Sequence, residues 1–201
     1  MEIDNRKEQI IKAALKRFSH FGIGKTTMNE IAEDSSISKG NIYYYFPDKN
    51  ALITEVIEHL IGQFDILLQE RIKNCTSTLE TLEQIQHVKN EFFEKHYMLH
   101  IFEGFDCPTV NENSKKLAEL SSQYSKKIIV EIFQKGIERK EFEPFDVEET
   151  AELYIQASKG IFLVNRDQSV KKITIDEQLR DTIHHKQIEL AKIFIKALLH
   201  H

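Results

Sequence analysis

The sequence predicts an all-α protein with about nine helices and little or no sheet. Only seven of its 201 residues are glycine and three are proline, whereas Leu, Ile, Lys, Glu and Gln are frequent. Hydrophobic residues make up 41% of the chain, which is typical of folded proteins and excludes wholesale disorder. Apolar residues recur at helical spacing along most of the chain, so we expect helices to account for most of it.

The first fifty residues contain three helix patterns in close succession. An apolar stripe runs through residues 6–21, and Gly22 and Gly24 end it. Thr27 and Glu30 then have the spacing of a capping box, in which a hydroxyl and a carboxylate satisfy each other's unpaired backbone donors. A second short helix is therefore predicted to start at Thr27, with a tight turn and a third helix after it.

The third helix, with Ser38 as its N-cap, has two sides of different character. The side that can be buried holds Ile42, Tyr45 and Phe46. The other side combines a cation, an accessible backbone and two phenols, and it holds Lys39, Gly40, Tyr43 and Tyr44. Such a side suits a groove lined with phosphates. The alternative is that Tyr43 and Tyr44 pack beneath Phe46.

Longer helix patterns fill the rest of the chain. Asp48 is predicted to cap a long helix whose apolar stripe runs from Leu52 to Leu68, and this helix should link the N-terminal unit rigidly to the remainder. Behind it we expect an apolar, aromatic-rich stretch over 82–105 and helices over 113–140, 146–162 and 176–199, with a polar loop over 165–172.

Charge and cysteine content constrain partners and compartment. The net charge is −5, but residues 1–50 carry eight Lys/Arg against seven Asp/Glu, so the excess of acid lies further along the chain. A local basic surface at the N-terminus is therefore compatible with a polyanionic partner. There is no secretory signal and no apolar run that could span a bilayer, and Cys75 and Cys107 are isolated. We predict a cytoplasmic protein.

Three blocks in residues 9–57 resemble the TetR family of helix-turn-helix transcriptional regulators. They read I-x-x-A-A-L-x-x-F-x-x-x-G, T-T-M-x-x-I-A and S-K-G-x-I-Y-Y-Y-F-x-x-K-x-x-L. The resemblance implies a DNA-binding domain over 1–48 and a helical effector-binding and dimerisation domain over 49–201. It also implies a homodimeric repressor that binds a palindromic operator in double-stranded DNA and is released by a small-molecule effector.

The resemblance also assigns DNA contacts. Thr27 and Lys49 would reach phosphates, and Lys39, Asn41, Tyr43 and Tyr44 occupy recognition-helix positions, with the backbone approachable at Gly40. Ser35-Ser36 stands where the family usually has a glycine, so the turn between the two short helices is expected to be strained or differently shaped. Tyr45 replaces a common histidine and is either a core residue or a further phosphate contact.

Aromatic residues in the larger domain suggest an effector pocket. Phe92, Phe93, His96, Tyr97, His100, Phe102 and Phe105 crowd one stretch, which could line a mostly apolar cavity. The resemblance places the pocket among the middle helices and so adds Phe64, Tyr124, Phe133 and Tyr154. Ordinary aromatic packing is the competing interpretation.

The alternative functions are metal or redox sensing, through His96, His100 and Cys107, and catalysis. His96 and His100 lie four residues apart, with Glu103, Asp106 and Cys107 nearby, which permits a transition-metal site. The spacing is loose, however, and we predict no metal and no cofactor. No nucleophile motif or phosphate-binding glycine loop is present, so an enzyme is not expected. A helical interaction module that does not bind DNA also stays open.

The last two helices are the expected dimer interface. Small residues there permit close approach of helices, and the last helix has a wide apolar face. The candidate interface consists of Tyr154, Ala157, Ser158, Ile161, Ile183, Leu190 and Phe194. The alternative is that both helices only close the core of one chain. A two-fold dimer would present two recognition helices to successive major grooves.

Overall fold

The computed structural model describes residues 2–95, 112–167 and 177–199, which form eight α-helices. In chain order these are α1 (Glu2–Phe21), α2 (Met28–Asp34), α3 (Lys39–Tyr45), α4 (Lys49–Ile72), α5 (Thr78–Lys95), α6 (Glu112–Glu138), α7 (Val147–Asp167) and α8 (Glu177–Leu198). No β-strand occurs within the described ranges, and the predicted all-α class is confirmed. The predicted number of about nine helices is one above the eight described.

Local side-chain caps fix the starts of three helices. The hydroxyls of Thr27 and Ser38 and the carboxylate of Asp48 each accept a hydrogen bond from the backbone three residues on, at 3.3, 3.3 and 2.8 Å. These bonds satisfy amides that a helix start leaves without an intrahelical partner. All three caps are confirmed as the sequence predicted them, whereas α1 begins at Glu2 instead of residue 6.

The long helix α4 connects the N-terminal helices to the rest of the molecule. It packs against α1 near its start and against α5 and α6 further along. Its buried side chains, which include Leu52, Val56, Leu60, Phe64 and Leu68, belong to one continuous hydrophobic core. Movement at the far end of α4 therefore has a direct mechanical route to the N-terminal helices. The domain boundary between residues 48 and 49 stays a prediction.

Helices α5 to α8 form a bundle around aromatic residues. Helix α5 packs against α6 and α8, and α7 packs against α6 and α8. The ring of Phe133 lies 6.1 Å from that of Tyr154 and 6.3 Å from that of Phe194, measured between centroids. Where α5 begins and α6 ends, the amide of Thr78 donates to the Glu141 carboxylate at 2.8 Å, which ties two elements distant in sequence.

Helix α7 continues past the predicted start of the polar loop. Asn165 was expected to begin this loop, but its side-chain amide donates to the carbonyl of Ile161 at 2.6 Å and the helix extends to Asp167. Asparagine is a weak breaker when its amide can bond to the preceding turn. Within the described residues, none of the helices has the length and apolar character needed to cross a membrane.

Candidate nucleic-acid interface and ligand cavity

The turn between α2 and α3 has a regular geometry that costs conformational energy. The amide of Ser36 donates to the carbonyl of Glu33 at 3.1 Å, and that of Ile37 to the carbonyl of Ala32 at 2.9 Å, which is the pattern of a Schellman C-cap. Ser36 has a φ of 55°, a left-handed conformation that glycine adopts more easily. The strain expected in this turn is thus located at Ser36, while the turn keeps an ordinary shape.

The capping box at the start of α2 is complete. The amide and the hydroxyl of Thr27 both donate to Glu30 Oε2, at 2.8 and 2.7 Å. The hydrogen bonds from Thr27 hold the pKa of Glu30 below its ordinary value, so the carboxylate stays charged. Because the Thr27 hydroxyl is committed to Glu30, a phosphate contact by this hydroxyl requires it to turn away from that carboxylate.

An arginine clamp that the sequence analysis did not identify holds α2 against α1. Arg17 donates from Nε and Nη2 to the two carboxylate oxygens of Asp34, at 2.6 and 2.9 Å, and its Nη1 lies 3.2 Å from Glu30. Bidentate pairing of this kind fixes orientation as well as distance. No local pattern reveals it, since the partners lie 17 residues apart.

Helix α3 buries one side and exposes the other. Ile42 and Phe46 are in the core, and Tyr45 is half-buried with its ring edge against Tyr44. Tyr43 and Tyr44 are 49% and 77% exposed, so they do not pack beneath Phe46. Lys39, Gly40 and Asn41 are also exposed. The structure therefore brings the five predicted recognition residues together on one accessible surface, which we call the α3 surface.

Gly40 belongs to this surface, whereas the predicted contact residue Lys49 lies outside it, at the start of α4. A Cβ added at Gly40 would meet nothing within 4 Å, so the fold itself does not require glycine there. Lys49 is the first residue of α4, and its Nζ donates to the carbonyl of Ile23 in the segment after α1, at 2.5 Å. An ammonium carries three donors, so this bond leaves Lys49 able to contact a phosphate as well.

A cavity of about 30 Å³ lies between α4, α5, α6 and α7. Its apolar wall consists of Phe64, Leu68, Ile85, Ile128, Ile129 and Ile155, and its polar groups come from Gln86, Lys89, Tyr124, Ser125, Tyr154, Ser158 and Lys159. This volume holds a water molecule or two, so a larger guest must displace side chains. The combination of apolar wall and few polar groups is typical of ligand sites.

Three of the predicted pocket residues line this cavity, namely Phe64, Tyr124 and Tyr154. Phe92 and Phe133 lie one layer behind it, with rings 5.3 Å from Phe64 and 6.1 Å from Tyr154, respectively. The side chain of Phe93 and all of His96, Tyr97, His100, Phe102 and Phe105 lie outside the described residues.

Apart from Tyr124 and Tyr154, the polar residues of the lining were not among the predicted pocket residues, which are aromatic residues and histidines. Gln86 and Lys89 share one face of α5, and Ser158 and Lys159 interrupt the apolar stripe of α7. Isolated polar residues in otherwise apolar stripes were the available signal. Burial raises the pKa of Tyr154 to about 12, and burial with a hydrogen bond to Asp65 raises that of Tyr124, so both phenols are neutral.

The predicted dimer residues divide into two groups. Tyr154, Ser158 and Ile183 are buried within the chain, where Gln187 donates to Ser158, and Ala157, Ile161, Leu190 and Phe194 are partly buried. Exposed apolar side chains on the same helices are different residues, namely Leu153, Leu163 and Val164 on α7 and Ile193 on α8. We call these four residues the α7–α8 surface.

The described residues contain no group of three His, Cys, Asp or Glu side chains placed to hold a metal ion. The metal alternative that involved His96, His100, Glu103, Asp106 and Cys107 lies outside the described residues. Cys75 has its pKa raised, mainly by burial, which makes its thiol less reactive.

Comparisons with known proteins agree on one family. The family described as "Bacterial regulatory proteins, tetR family" matches residues 10–56. The HTH-type transcriptional regulator LuxR of Vibrio harveyi is 27% identical over 84% of this chain and 83% of its own length.

Solved structures are similar over nearly the whole chain. A transcriptional regulator from Cytophaga hutchinsonii ATCC 33406 is 30% identical, with a TM-score of 0.79 over 96% of this chain and 97% of that one. FadR from Bacillus subtilis, solved in complex with stearoyl-CoA, is 20% identical with a TM-score of 0.64 over 96% of this chain and 97% of that one, and shares the fold. These relatives are regulators and not enzymes.

Proposed function

The chain belongs to the TetR family of helix-turn-helix transcriptional regulators, and from this premise we propose that it is a homodimeric repressor released from a palindromic operator by a small molecule. The observation that carries the proposal is the α3 surface. A short helix with one buried side leaves Lys39, Asn41, Tyr43 and Tyr44 accessible together. Such a helix enters a major groove with phosphates on both sides.

The residues of the α3 surface and Lys49 are expected to have different roles in DNA recognition. Lys39, Lys49 and the two phenols supply phosphate contacts, which set affinity and its dependence on salt. Asn41 has the side chain that can pair with an adenine edge through two hydrogen bonds. Specificity for one operator would then depend on Asn41 more than on the lysines.

We propose that two chains associate through the α7–α8 surface. Leu153, Leu163, Val164 and Ile193 are large apolar side chains that remain exposed in one chain. Large exposed apolar side chains on two packed helices are typical of homodimer interfaces. A two-fold axis through this surface would relate two α3 helices and so require a palindromic site.

Release would follow from ligand binding between α4 and α7. FadR of B. subtilis binds stearoyl-CoA in the same fold, which supports a small-molecule site in this chain. A ligand shifts the protein from its DNA-binding state only if it binds the other state more tightly. Since α4 contributes both to the cavity wall and to packing against α1, displacement of α4 would alter the separation of the two recognition helices.

Selection of bound sequences from a random duplex pool tests the DNA-binding function. We expect an enriched palindrome, with binding that weakens steeply as salt rises. Asn41→Ala should relax the enriched sequence at one position per half-site, by about 1–3 kcal/mol of discrimination, whereas Lys39→Ala should weaken all sequences about equally.

Lys73→Ala is the matched control for Lys39→Ala. Lys73 is also an exposed lysine, but it lies at the C-terminal end of α4, whereas α3 precedes the N-terminal end of α4. Its affinity for the selected duplex should equal that of the wild type. Absence of any bound duplex at low salt would refute the proposal.

Sedimentation of Leu163→Glu as a monomer, beside a dimeric wild type, would support the α7–α8 surface as the interface.

A further inference from the structure

We propose that the cavity between α4, α5, α6 and α7 takes a slender amphipathic anion, in which an apolar chain ends in a carboxylate or a phosphate. This inference rests on the proposed function, since it specifies the effector class. Its basis is the uneven distribution of charge and hydrogen-bonding groups around the cavity wall.

The charges that line the cavity are both positive. Lys89 extends from α5 and Lys159 from α7, and among the described residues no carboxylate belongs to the lining. Lys159 Nζ lies 3.3 Å from Ser122 Oγ, a hydroxyl that does not neutralise it. Asp65, which does not belong to the lining, accepts a hydrogen bond from the hydroxyl of the lining residue Tyr124 at 2.8 Å. Two partly buried lysine residues, with no carboxylate among the described lining residues, favour an anionic guest.

A buried amide supplies a second, independent observation. Gln86 is 1% exposed, its Nε2 lies 3.4 Å from the hydroxyl of Tyr154, and its Oε1 has no hydrogen-bond partner within the described residues. Turning the amide over lets the Tyr154 hydroxyl donate to Oε1 and leaves Nε2 as the group without a partner. In that orientation Gln86 can donate to an anionic oxygen, which adds a directional contact to the two lysine charges.

The rest of the wall favours an unbranched apolar chain. Phe64 and Leu68 of α4 face Ile128 and Ile129 of α6 across a cavity of about 30 Å³. A narrow chain displaces fewer of these side chains than a ring system does. A guest larger than the cavity must still displace side chains of the wall. Because Phe64 and Leu68 of α4 belong to this wall, displacement of either gives ligand binding a route to the N-terminal helices.

Isothermal titration calorimetry of the protein tests the proposed ligand class with four probes that share one ten-carbon chain. Decanoate and decyl phosphate carry the two anionic heads, decan-1-ol is uncharged and decylamine is cationic. We expect either anion to bind at least 10-fold more tightly than the alcohol and the amine, and the two anions distinguish a carboxylate site from a phosphate site. Equal binding of the alcohol, tighter binding of the amine, or no binding of either anion overturns the inference.

Variants then assign the contacts. Lys159→Gln and Lys89→Gln should each weaken binding of the better anion by about 10- to 100-fold, the typical effect of losing a charge-assisted hydrogen bond. Lys159→Arg keeps the charge and should retain most of the affinity, whereas Gln86→Leu should lower it. Lys73→Gln is the control and should bind as the wild type does. Thermal melts verify that each variant is folded, and unchanged affinity in both lysine-to-glutamine variants contradicts the assignment.

A parallel titration of the selected duplex separates this inference from the proposed function. Anion binding in a protein that binds no duplex would support the cavity chemistry and refute the regulator. Duplex binding without anion binding would leave the regulator standing and refute the effector class. Release of the duplex by decanoate or decyl phosphate, lost in Lys159→Gln, supports both.

Discussion

The N-terminal helices and the bundle behind them differ in how their functional side chains are positioned. Around α3, caps and turns formed by residues close in sequence set the geometry, and Tyr43 and Tyr44 emerge on an exposed surface. Around the cavity, contacts between residues far apart in sequence do so, as when Gln86 of α5 meets Tyr154 of α7. The first arrangement uses mainly short-range hydrogen bonds, together with the Arg17–Asp34 pair that holds α2 against α1. The second depends on packing of whole helices.

This difference is consistent with two separate tasks. A preformed α3 surface suits the major groove of DNA, which accepts a helix in a defined orientation. A cavity enclosed by four helices can be opened by small shifts of each, so a ligand there can bias a conformational equilibrium. The shared helix α4 has side chains in both regions, and its integrity determines whether they behave as one unit.

The largest effect on stability is expected from removal of a buried aromatic ring in either region. This change tests whether the two regions unfold as one unit. Phe46→Ala and Phe133→Ala each remove a fully buried aromatic side chain, and each should lower the free energy of unfolding by about 3–5 kcal/mol. Because α4 carries one core through both regions, we expect a single urea transition by circular dichroism, shifted in both variants.

Protein concentration must be held constant in this comparison, since the proposed dimerisation would add to apparent stability. Two separate transitions, with Phe46→Ala shifting only one of them, would show that the regions unfold independently. The two regions would then differ in stability as well as in how their functional side chains are positioned.

The same contrast explains how much the sequence predicted. The side chains of Thr27, Ser38 and Asp48 cap helix starts by accepting hydrogen bonds from backbone amides three residues further on. All three caps were predicted. The exposure of Tyr43 and Tyr44 followed from which side of α3 is apolar. Gln86, Lys89, Ser158 and Lys159 were not predicted as pocket residues. The approach of Gln86 to Tyr154, for example, depends on how α5 and α7 pack, which spacing along one helix does not encode.

A smaller effect is expected at Gly136, where the bundle depends on close packing of distant elements. A Cβ at this position would lie 2.5 Å from both the Phe142 ring and Thr78 Oγ. Gly136→Ala should therefore destabilise the protein by about 1–3 kcal/mol in urea unfolding. Gly62→Ala in α4 is the control, since nothing lies within 4 Å of its added Cβ, and it should stabilise by about 0.5–1 kcal/mol. Similar shifts in the two variants would contradict the packing argument.

Each region has one residue with a left-handed backbone conformation just after a helix, and its strain gives a comparable test in the two regions. Ser36 follows α2 and has a φ of 55°, and Lys140 follows α6 and has a φ of 60°. Ser36→Gly and Lys140→Gly should each raise the free energy of unfolding by about 0.5–1 kcal/mol, since relief of strain outweighs the added freedom of the unfolded chain. Ser36→Ala keeps the left-handed cost and should not stabilise. A gain at Lys140 without one at Ser36 would mean that the serine side chain supports the turn between α2 and α3.

The smallest effect concerns pH and the contact of α5 with α8. Burial, and next the neighbouring His87, whose ring centroid is 4.9 Å away, lower the pKa of His184, while Asp181 acts in the opposite direction. The unfolded chain, with a histidine pKa of about 6.5, then binds the proton more readily, so stability is lost as pH falls below that value. Carboxyl groups titrate nearer pH 4, which separates their contribution from this window. Urea unfolding at pH 7.5 and pH 5.5 should show a smaller loss of stability in His184→Gln than in the wild type. The control is His20→Gln, because His20 is exposed on α1 and is not among the groups that shift the pKa of His184. An equal loss in all three proteins would mean that the α5–α8 contact does not depend on a neutral His184.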